Sequence, residues 1–209
     1  NPVTHDCVKR NTSEGIQEIH WSQGASNWES WMYGRCLENY NQSFTWAKWV
    51  TPSRDLIKDF HNEGDTARFN QTVVYYSCTW SNYYPAANYP FMYKLRSGYN
   101  NEYVVRLADI ILLEAEAYAF KGNLSKSAEL VNIIRHRAKL PDPTADKTAT
   151  KDALIEAVLH ERRLELAMEG ERWFDLCRYG KVEQYMNTIN SRDEGRLQQK
   201  KAFDKNSYL

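Results

Sequence analysis

The feature of this sequence that most constrains its fold is a switch to helical hydrophobic spacing near residue 101. Beyond it, apolar residues recur at intervals of three or four along one helix face: Val105, Ala108, Leu112, Ala115 and Ala119. Gly122 ends this pattern, and a second helix is predicted from Leu124 to about Lys139, where Pro141 and Pro143 prevent its continuation. The sequence therefore predicts a short helical hairpin.

A second pair of helices is predicted after a polar loop. Thr150 can cap a helix whose apolar residues share one face: Leu154, Ala157, Val158, Leu164 and Met168. After Gly170, another helical segment runs from Glu171 to about Asn190, with an interruption at Gly180. Each pair has the size of a tetratricopeptide-type unit. Because such units bury their apolar faces against neighbouring units, we expect these two to pack on further helices or on the rest of the chain.

The first 100 residues differ in character from residues 101–190, which hold the helix pairs. Six of the seven Trp precede residue 81, in segments rich in Asn, Ser, Gly and Pro. We predict a loop-rich region ordered by its aromatic rings, with a capped helix near residues 52–62. Short strands are predicted at Ile16–Trp21 and at Asn70–Tyr76. The fold class is therefore mainly α, with a few short strands and a polar C-terminal segment over residues 191–209.

Composition excludes several classes of function. The 27 Lys and Arg residues balance 27 Asp and Glu, so the chain has no net positive charge to attract nucleic acid or an anionic membrane. The longest apolar run, Ile110–Leu113, is far too short to cross a bilayer. Four separated Cys form neither a zinc motif nor a disulfide framework, and no nucleotide-binding or serine-hydrolase motif occurs. We therefore expect no cofactor and no metal.

The densest charged motif extends from Glu161 to Gly180. Glu161 and Glu165 share a helix face, which would suit a pair of carboxylates for general acid/base hydrolysis. However, every acid in the motif has an Arg within four positions, and Glu161 continues an apolar row. An inward carboxylate without a partner would be strongly destabilising, so we predict ion pairs with these nearby arginines. We also predict that Trp173 is a packed structural ring.

The aromatic region is the better candidate for binding. Indole and phenol rings stack on the apolar faces of sugars, while nearby polar side chains bind the hydroxyls. The candidate ligand-binding residues lie in polar segments without helical spacing: Trp28, Trp31, Trp46, Trp80 and Tyr83. Neighbouring candidates for hydroxyl contacts are Asn27, Arg35 and Asn82. The alternative is that these rings form a core and bind nothing.

Three segments resemble the RagB/SusD family of nutrient-binding lipoproteins of Bacteroidetes-type bacteria: Val105–Ala117, Val131–Ala138 and Glu161–Arg178. Weaker agreement is found in Glu14–Ile19, in Thr51–Phe60, and at Asp65 and Arg68. The resemblance implies a helical fold of four tetratricopeptide-like pairs with ligand-lining loops. Since the family's N-terminal half, with its lipidated Cys, has no counterpart here, we expect this chain to be part of one larger domain.

The resemblance also implies a function. Members of this family are surface lipoproteins of the outer membrane that cap a SusC-like TonB-dependent transporter, and they are not enzymes. We therefore expect binding of a polysaccharide or oligosaccharide for delivery to such a transporter, with membrane contact only through a lipid anchor outside this chain. Binding of a peptide or another nutrient, a glycoside hydrolase fragment, and a helical scaffold for a protein partner remain the alternatives.

Overall fold

The computed structural model describes residues 12–20, 51–78, 84–94, 102–188, 202–204 and 206. These parts contain four short strands, β1 to β4: Gly15–Ile19, Val73–Tyr76, Tyr89–Met92 and Glu102–Arg106. They also contain eight helices, α1 to α8: Arg54–Glu63, Thr66–Thr72, Leu107–Phe120, Leu124–Arg137, Ala145–Thr148, Lys151–Glu165, Glu171–Arg178 and Val182–Met186. None of these helices combines the length and the apolar character needed to span a bilayer.

The predicted hairpin is formed by α3 and α4. Gly122 has a φ of 80°, a left-handed conformation that glycine adopts without steric cost, and it ends the first helix. The side chain of Asn123 then caps α4 by accepting a hydrogen bond from the backbone N–H of Lys126. Helix α6, capped by Thr150 as predicted, packs against the hairpin. The shared core consists of Ala108, Leu112, Ala115, Leu130, Val131, Ile134 and Val158.

Two boundaries of the predicted helices are wrong. Residues from Glu102 to Arg106 form β4, which pairs antiparallel with β1, so Val105 belongs to a sheet. The strand partner lies almost 90 residues earlier in the chain, which local spacing cannot reveal. Helix α6 ends at Glu165, and Met168 lies in the following turn with a φ of 69°. Met168 still packs on the apolar cluster beneath α1.

The capped helix near residues 52–62 is confirmed as α1. The hydroxyl of Ser53 accepts a hydrogen bond from the backbone N–H of Leu56, and Gly64, with a φ of 68°, ends the helix. Its apolar face places Leu56 and Phe60 against residues that follow α6 or end it. Helix α1 thereby joins the N-terminal region to the helix pairs.

The two predicted strands correspond to β1 and, in part, to β2. The first is confirmed as β1, which begins one residue before the predicted Ile16 and ends at Ile19. The second is half wrong, because the residues up to Thr72 form α2, which is capped by the carboxylate of Asp65. Only Val73–Tyr76 is a strand, β2, and it pairs antiparallel with β3. The rings of Tyr89 and Phe91, both in β3, pack against each other, and Tyr89 also contacts Tyr84.

Helix α3 also carries apolar residues on its outer side. Leu107, Ile110 and Leu113 follow one another at intervals of three and are exposed, with Ile110 at 41 %. A helix that is apolar on nearly every side is typical of one enclosed by neighbours. The surface left by α3 therefore agrees with the expectation that two helix pairs require further packing partners.

Candidate functional site

All predicted ligand-binding residues lie outside the described residues. This holds for the aromatic candidates Trp28, Trp31, Trp46, Trp80 and Tyr83, and for the polar candidates Asn27, Arg35 and Asn82. The aromatic site therefore stays a prediction. What the structure does describe is a buried charge network and a cavity that opens beside it.

Glu165, the last residue of α6, lies at the centre of the charge network. Its side chain is 4 % exposed and accepts hydrogen bonds from Arg106 at 2.8 Å and from Arg68 at 3.2 Å. Arg137 forms a third ion pair with the same carboxylate. Burial by itself would raise the pKa of Glu165, but the surrounding guanidinium charges outweigh it and hold that pKa well below its usual range.

Glu161, one helical turn earlier, is also held by two arginines. It is 1 % exposed and accepts hydrogen bonds from Arg68 Nη1 at 2.6 Å and from Arg135 Nη1 at 3.0 Å. Arg135 also donates from Nη2 to Glu63 Oε2 at 2.9 Å, which connects α4 to the end of α1. The prediction of an inward, ion-paired Glu161 is confirmed.

The identity of the partners is corrected by the structure. Arg162 and Arg163, which adjoin Glu161 in sequence, bind elsewhere because successive residues of a helix point in different directions. Arg162 donates to Asp109 at 2.6 Å and to Asp175 at 2.9 Å. Arg163 pairs with Asp59 of α1. The arginines that neutralise Glu161 and Glu165 come from other helices and from β4.

This arrangement does not suit an acid/base pair for hydrolysis. A general acid needs a carboxyl group that is protonated near the working pH, whereas the pKa of Glu165 is lowered well below its usual range. The carboxylate oxygens of Glu161 already accept hydrogen bonds from arginines on both sides. The geometry therefore favours the interpretation of these two glutamates as structural ion-pair partners.

A cavity of about 280 Å³ opens beside the network. It lies between α2, the turn that follows α4 and the end of α6. Four of its lining residues are cationic: Arg68, Lys94, Arg137 and Lys139. The carboxylate of Glu165 lines the same space. We refer to this space as the cationic cavity.

Two residues of the cationic cavity carry buried polar atoms without a hydrogen-bond partner among the described residues: Arg68 Nη2 and Thr72 Oγ1. Nε and Nη1 of Arg68 are engaged by Asp65, Glu161 and Glu165, so Nη2 is its spare donor group. The cavity can thus donate hydrogen bonds to an oxygen-rich ligand. Within the described ranges, no cluster of three His, Cys, Asp or Glu side chains is arranged to hold a metal ion.

Sequence reasoning missed the cationic cavity. Its walls come from four separate segments spread over residues 67–165, and these segments carry no common motif. Arg68 was marked only by its weak agreement with a family pattern, and Lys139 only as the end of a helix. The sequence does indicate one part of the cavity wall: Pro141 and Pro143 end α4 and predict a turn near Lys139.

The expectation that Trp173 is a packed structural ring holds only in part. Trp173 is 37 % exposed and contacts Phe203, with ring centroids 5.7 Å apart, while Phe174 is 66 % exposed. Helix α7 instead buries Asp175 and Leu176. The ion pair of Asp175 with Arg162 orients the helix so that the two aromatic residues face outward.

Comparison with known sequences gives one family. The model of the SusD family matches residues 88–209, more than half of the chain. Among curated proteins, SusD-like protein P38 of Formosa agariphila is 40% identical over 103 residues, which are 46% of this chain and 20% of that protein. SusD-like protein P2 of the same organism is 29% identical over 89 residues, covering 40% and 18%. The matches thus span about a fifth of each curated relative.

Comparison with solved structures confirms the predicted mainly helical fold. Surface glycan-binding protein A from Bacteroides thetaiotaomicron covers 100% of this chain with a TM-score of 0.70 at 15% identity. A SusD superfamily protein from Bacteroides vulgatus covers 92% with a TM-score of 0.67 at 24% identity. A laminarin-binding SusD-like protein covers 91% with a TM-score of 0.62 at 22% identity. The chain spans 51%, 46% and 46% of these structures, and at such identities they show a shared fold.

Proposed function

Because the chain belongs to the SusD family, we propose that it serves in the non-catalytic binding of a polysaccharide or oligosaccharide at the cell surface. The observation that carries the proposal is the family match over residues 88–209. Two structures of the same fold support it, since one is named as a surface glycan-binding protein and another as laminarin-binding. The ligand would then pass to a TonB-dependent outer-membrane transporter of the SusC type.

The proposed mechanism needs no bond to be broken. Aromatic rings offer flat apolar faces to sugar rings, and polar side chains beside them bind the hydroxyl groups. We assign this role to the aromatic candidates Trp28, Trp31, Trp46, Trp80 and Tyr83. The structural use of Glu161 and Glu165 supports binding over hydrolysis, because both carboxylates are engaged by arginines.

The test is a glycan array probed with the whole chain, followed by calorimetry on the strongest glycan. Each of the five aromatic candidates is replaced by Ala, with Trp173→Ala as the control for loss of a ring elsewhere. We expect at least one of the five variants to bind about thirtyfold more weakly, as is typical for an aromatic hot spot, without a change in Tm.

Three results would overturn parts of the proposal. If no glycan on the array binds, carbohydrate binding fails, and a peptide library would then test the alternative ligand class. If all five variants bind normally or unfold, the aromatic region is a core and not the site. If incubation with the bound glycan releases new reducing ends above the buffer level, the protein is an enzyme.

A further inference from the structure

We propose that the cationic cavity binds the oxyanion of an acidic sugar, either a carboxylate or a sulfate ester. This inference rests on the proposed function and specifies one class of glycan for it. No segment of the described structure fills the cavity, which is lined by α2, by the turn after α4 and by the end of α6. None of its lining residues is among the aromatic candidates.

The charges of the lining favour an anion. Four cationic side chains face a single lining carboxylate, Glu165, which is already paired with three arginines. Lys94 is engaged with Glu169 and with the carbonyl of Glu165. Lys139 is different: it is exposed at the cavity, and no acidic side chain of the described residues pairs with it. Its ammonium group is therefore available to a ligand.

The buried donors favour an oxygen-bearing group. Arg68 has a side chain only 11 % exposed, and its Nη2 has no acceptor among the described residues. Thr72 is fully buried, and its hydroxyl also lacks a partner there. A buried donor that has lost its water and has no acceptor destabilises the folded state. A ligand oxygen that accepts a hydrogen bond from such a donor would remove this cost, which favours ligands that carry an oxygen at this position. Hydrogen bonds between a guanidinium and an oxyanion are stronger than those to a neutral hydroxyl.

The backbone at the cavity holds Lys139 in an unusual conformation. Its φ is 64°, in the left-handed region where glycine is the usual residue after a helix. Two backbone hydrogen bonds fix this turn, from Lys139 N–H to His136 O and from Leu140 N–H to Arg135 O. A lysine in this left-handed conformation lowers the stability of the folded state relative to a glycine, because its Cβ is crowded by the backbone. The lysine does, however, place a positive charge at the cavity. The volume of about 280 Å³ is close to the lower limit for small-molecule sites, so it suits one sugar unit.

The experiment is calorimetry on the whole chain with four probes: D-glucuronate, D-glucose 6-sulfate, D-glucose and inorganic sulfate. Lys139→Gly removes the charge in a conformation that glycine adopts freely, and Thr72→Val removes the buried hydroxyl at nearly constant volume. Lys121→Ala is the matched control, because this exposed lysine lies at the opposite end of the α3–α4 hairpin.

We expect glucuronate or glucose 6-sulfate to bind at least about tenfold more tightly than glucose, and the stronger of the two identifies the oxyanion. Lys139→Gly and Thr72→Val should each weaken that binding about tenfold, while Lys121→Ala leaves it unchanged. The inference is wrong if glucose binds as tightly as the acidic sugars, if neither acidic sugar binds, or if both cavity variants bind like the wild type. Inorganic sulfate binding as tightly as the acidic sugars would also contradict it, since the cavity would then not select a sugar.

Failure of this inference is distinguishable from failure of the proposed function. The same variants are tested against the strongest neutral glycan of the array. If that glycan binds normally to Lys139→Gly and no acidic preference exists, the cavity inference falls while glycan binding stands. If no glycan binds at all, the proposed function falls.

Discussion

Arg106 binds Glu165 through two parallel contacts: Nη1 donates to the carboxylate at 2.8 Å, and Nη2 donates to the backbone carbonyl oxygen at 2.8 Å. Both side chains are buried. Since Arg106 ends β4 and Glu165 ends α6, this pair fixes the end of a strand against the end of a helix. Arg106 also donates from Nε to Glu169 at 2.6 Å, so the turn after α6 is held by the same side chain.

Arg106→Leu should lower the free energy of unfolding by about 3–5 kcal/mol, because it removes a buried guanidinium that pairs with the buried Glu165 and the partly buried Glu169. Urea unfolding followed by circular dichroism measures this loss. The control is Lys126→Ala, which removes an exposed ion pair with Glu129 and should leave the unfolding midpoint nearly unchanged. Equal midpoints for the two variants would contradict a stabilising role for the buried pair.

Glu161→Gln should reduce stability by roughly 1–3 kcal/mol, because an amide replaces a carboxylate that accepts charge-assisted hydrogen bonds from Arg68 and Arg135. Glycan affinity of the folded protein should not change. Thermal unfolding and calorimetry on the same sample report both quantities. A catalytic role predicts the opposite pattern, an unchanged Tm together with the loss of a measured hydrolytic activity.

Stability should decrease in acid. The pKa of Glu63 is lowered to about 2 because hydrogen bonds from Arg135 and Lys147 overcome the effect of burial, and the pKa of Glu165 is also lowered. Carboxylates with a lower pKa in the folded state stabilise it fully above their unfolded value, near 4.5. Below that value the unfolded state binds more protons, so the unfolding free energy falls as the pH decreases from about 4.5 toward 2.

Urea titrations between pH 7 and pH 3 measure this dependence. Glu63→Gln should be less stable than the wild type at pH 7 and should lose less stability on acidification. An unfolding free energy that stays constant from pH 5 to pH 3 would contradict the ionised state assigned to these glutamates.

Trp173→Ala should cost less stability than the roughly 3–5 kcal/mol typical of a fully buried Trp, because more than a third of its surface is already exposed. Leu112→Ala, in the core of α3, should cost about 2–5 kcal/mol although it removes a smaller side chain. Denaturant midpoints of the two variants give the comparison. A larger loss for Trp173→Ala would show that Trp173 is buried in solution.

The helical hairpin and α6 could be predicted from the sequence because their signals are local. Apolar spacing, the caps at Asn123 and Thr150, and the prolines after α4 all act within a few residues of the element they define. The same holds for α1, where Ser53 and Gly64 mark both ends. These helices could be predicted because their capping residues and their hydrophobic spacing agree locally.

The remaining features depend on distant parts of the chain. Local apolar spacing predicts a helix where β4 forms, because the partner strand of β4 lies far away in sequence. The sequence predicts that Glu161 pairs with arginines adjacent to it, whereas its partners Arg68 and Arg135 come from other helices. The cationic cavity forms only where four separate segments meet, so the sequence of any one of them does not predict it.

The pairing of β1 with β4 has a consequence for biosynthesis. Gly15 pairs with Arg106, so the ribosome must release about 90 further residues after β1 before this strand can pair with β4. Until then the nascent polypeptide carries an unpaired strand with exposed Ile16 and Ile19, the kind of edge that invites association with other chains. Translation order and folding order therefore differ: the contiguous α3–α4 hairpin can form as soon as it emerges, while the N-terminal strand has to wait for β4.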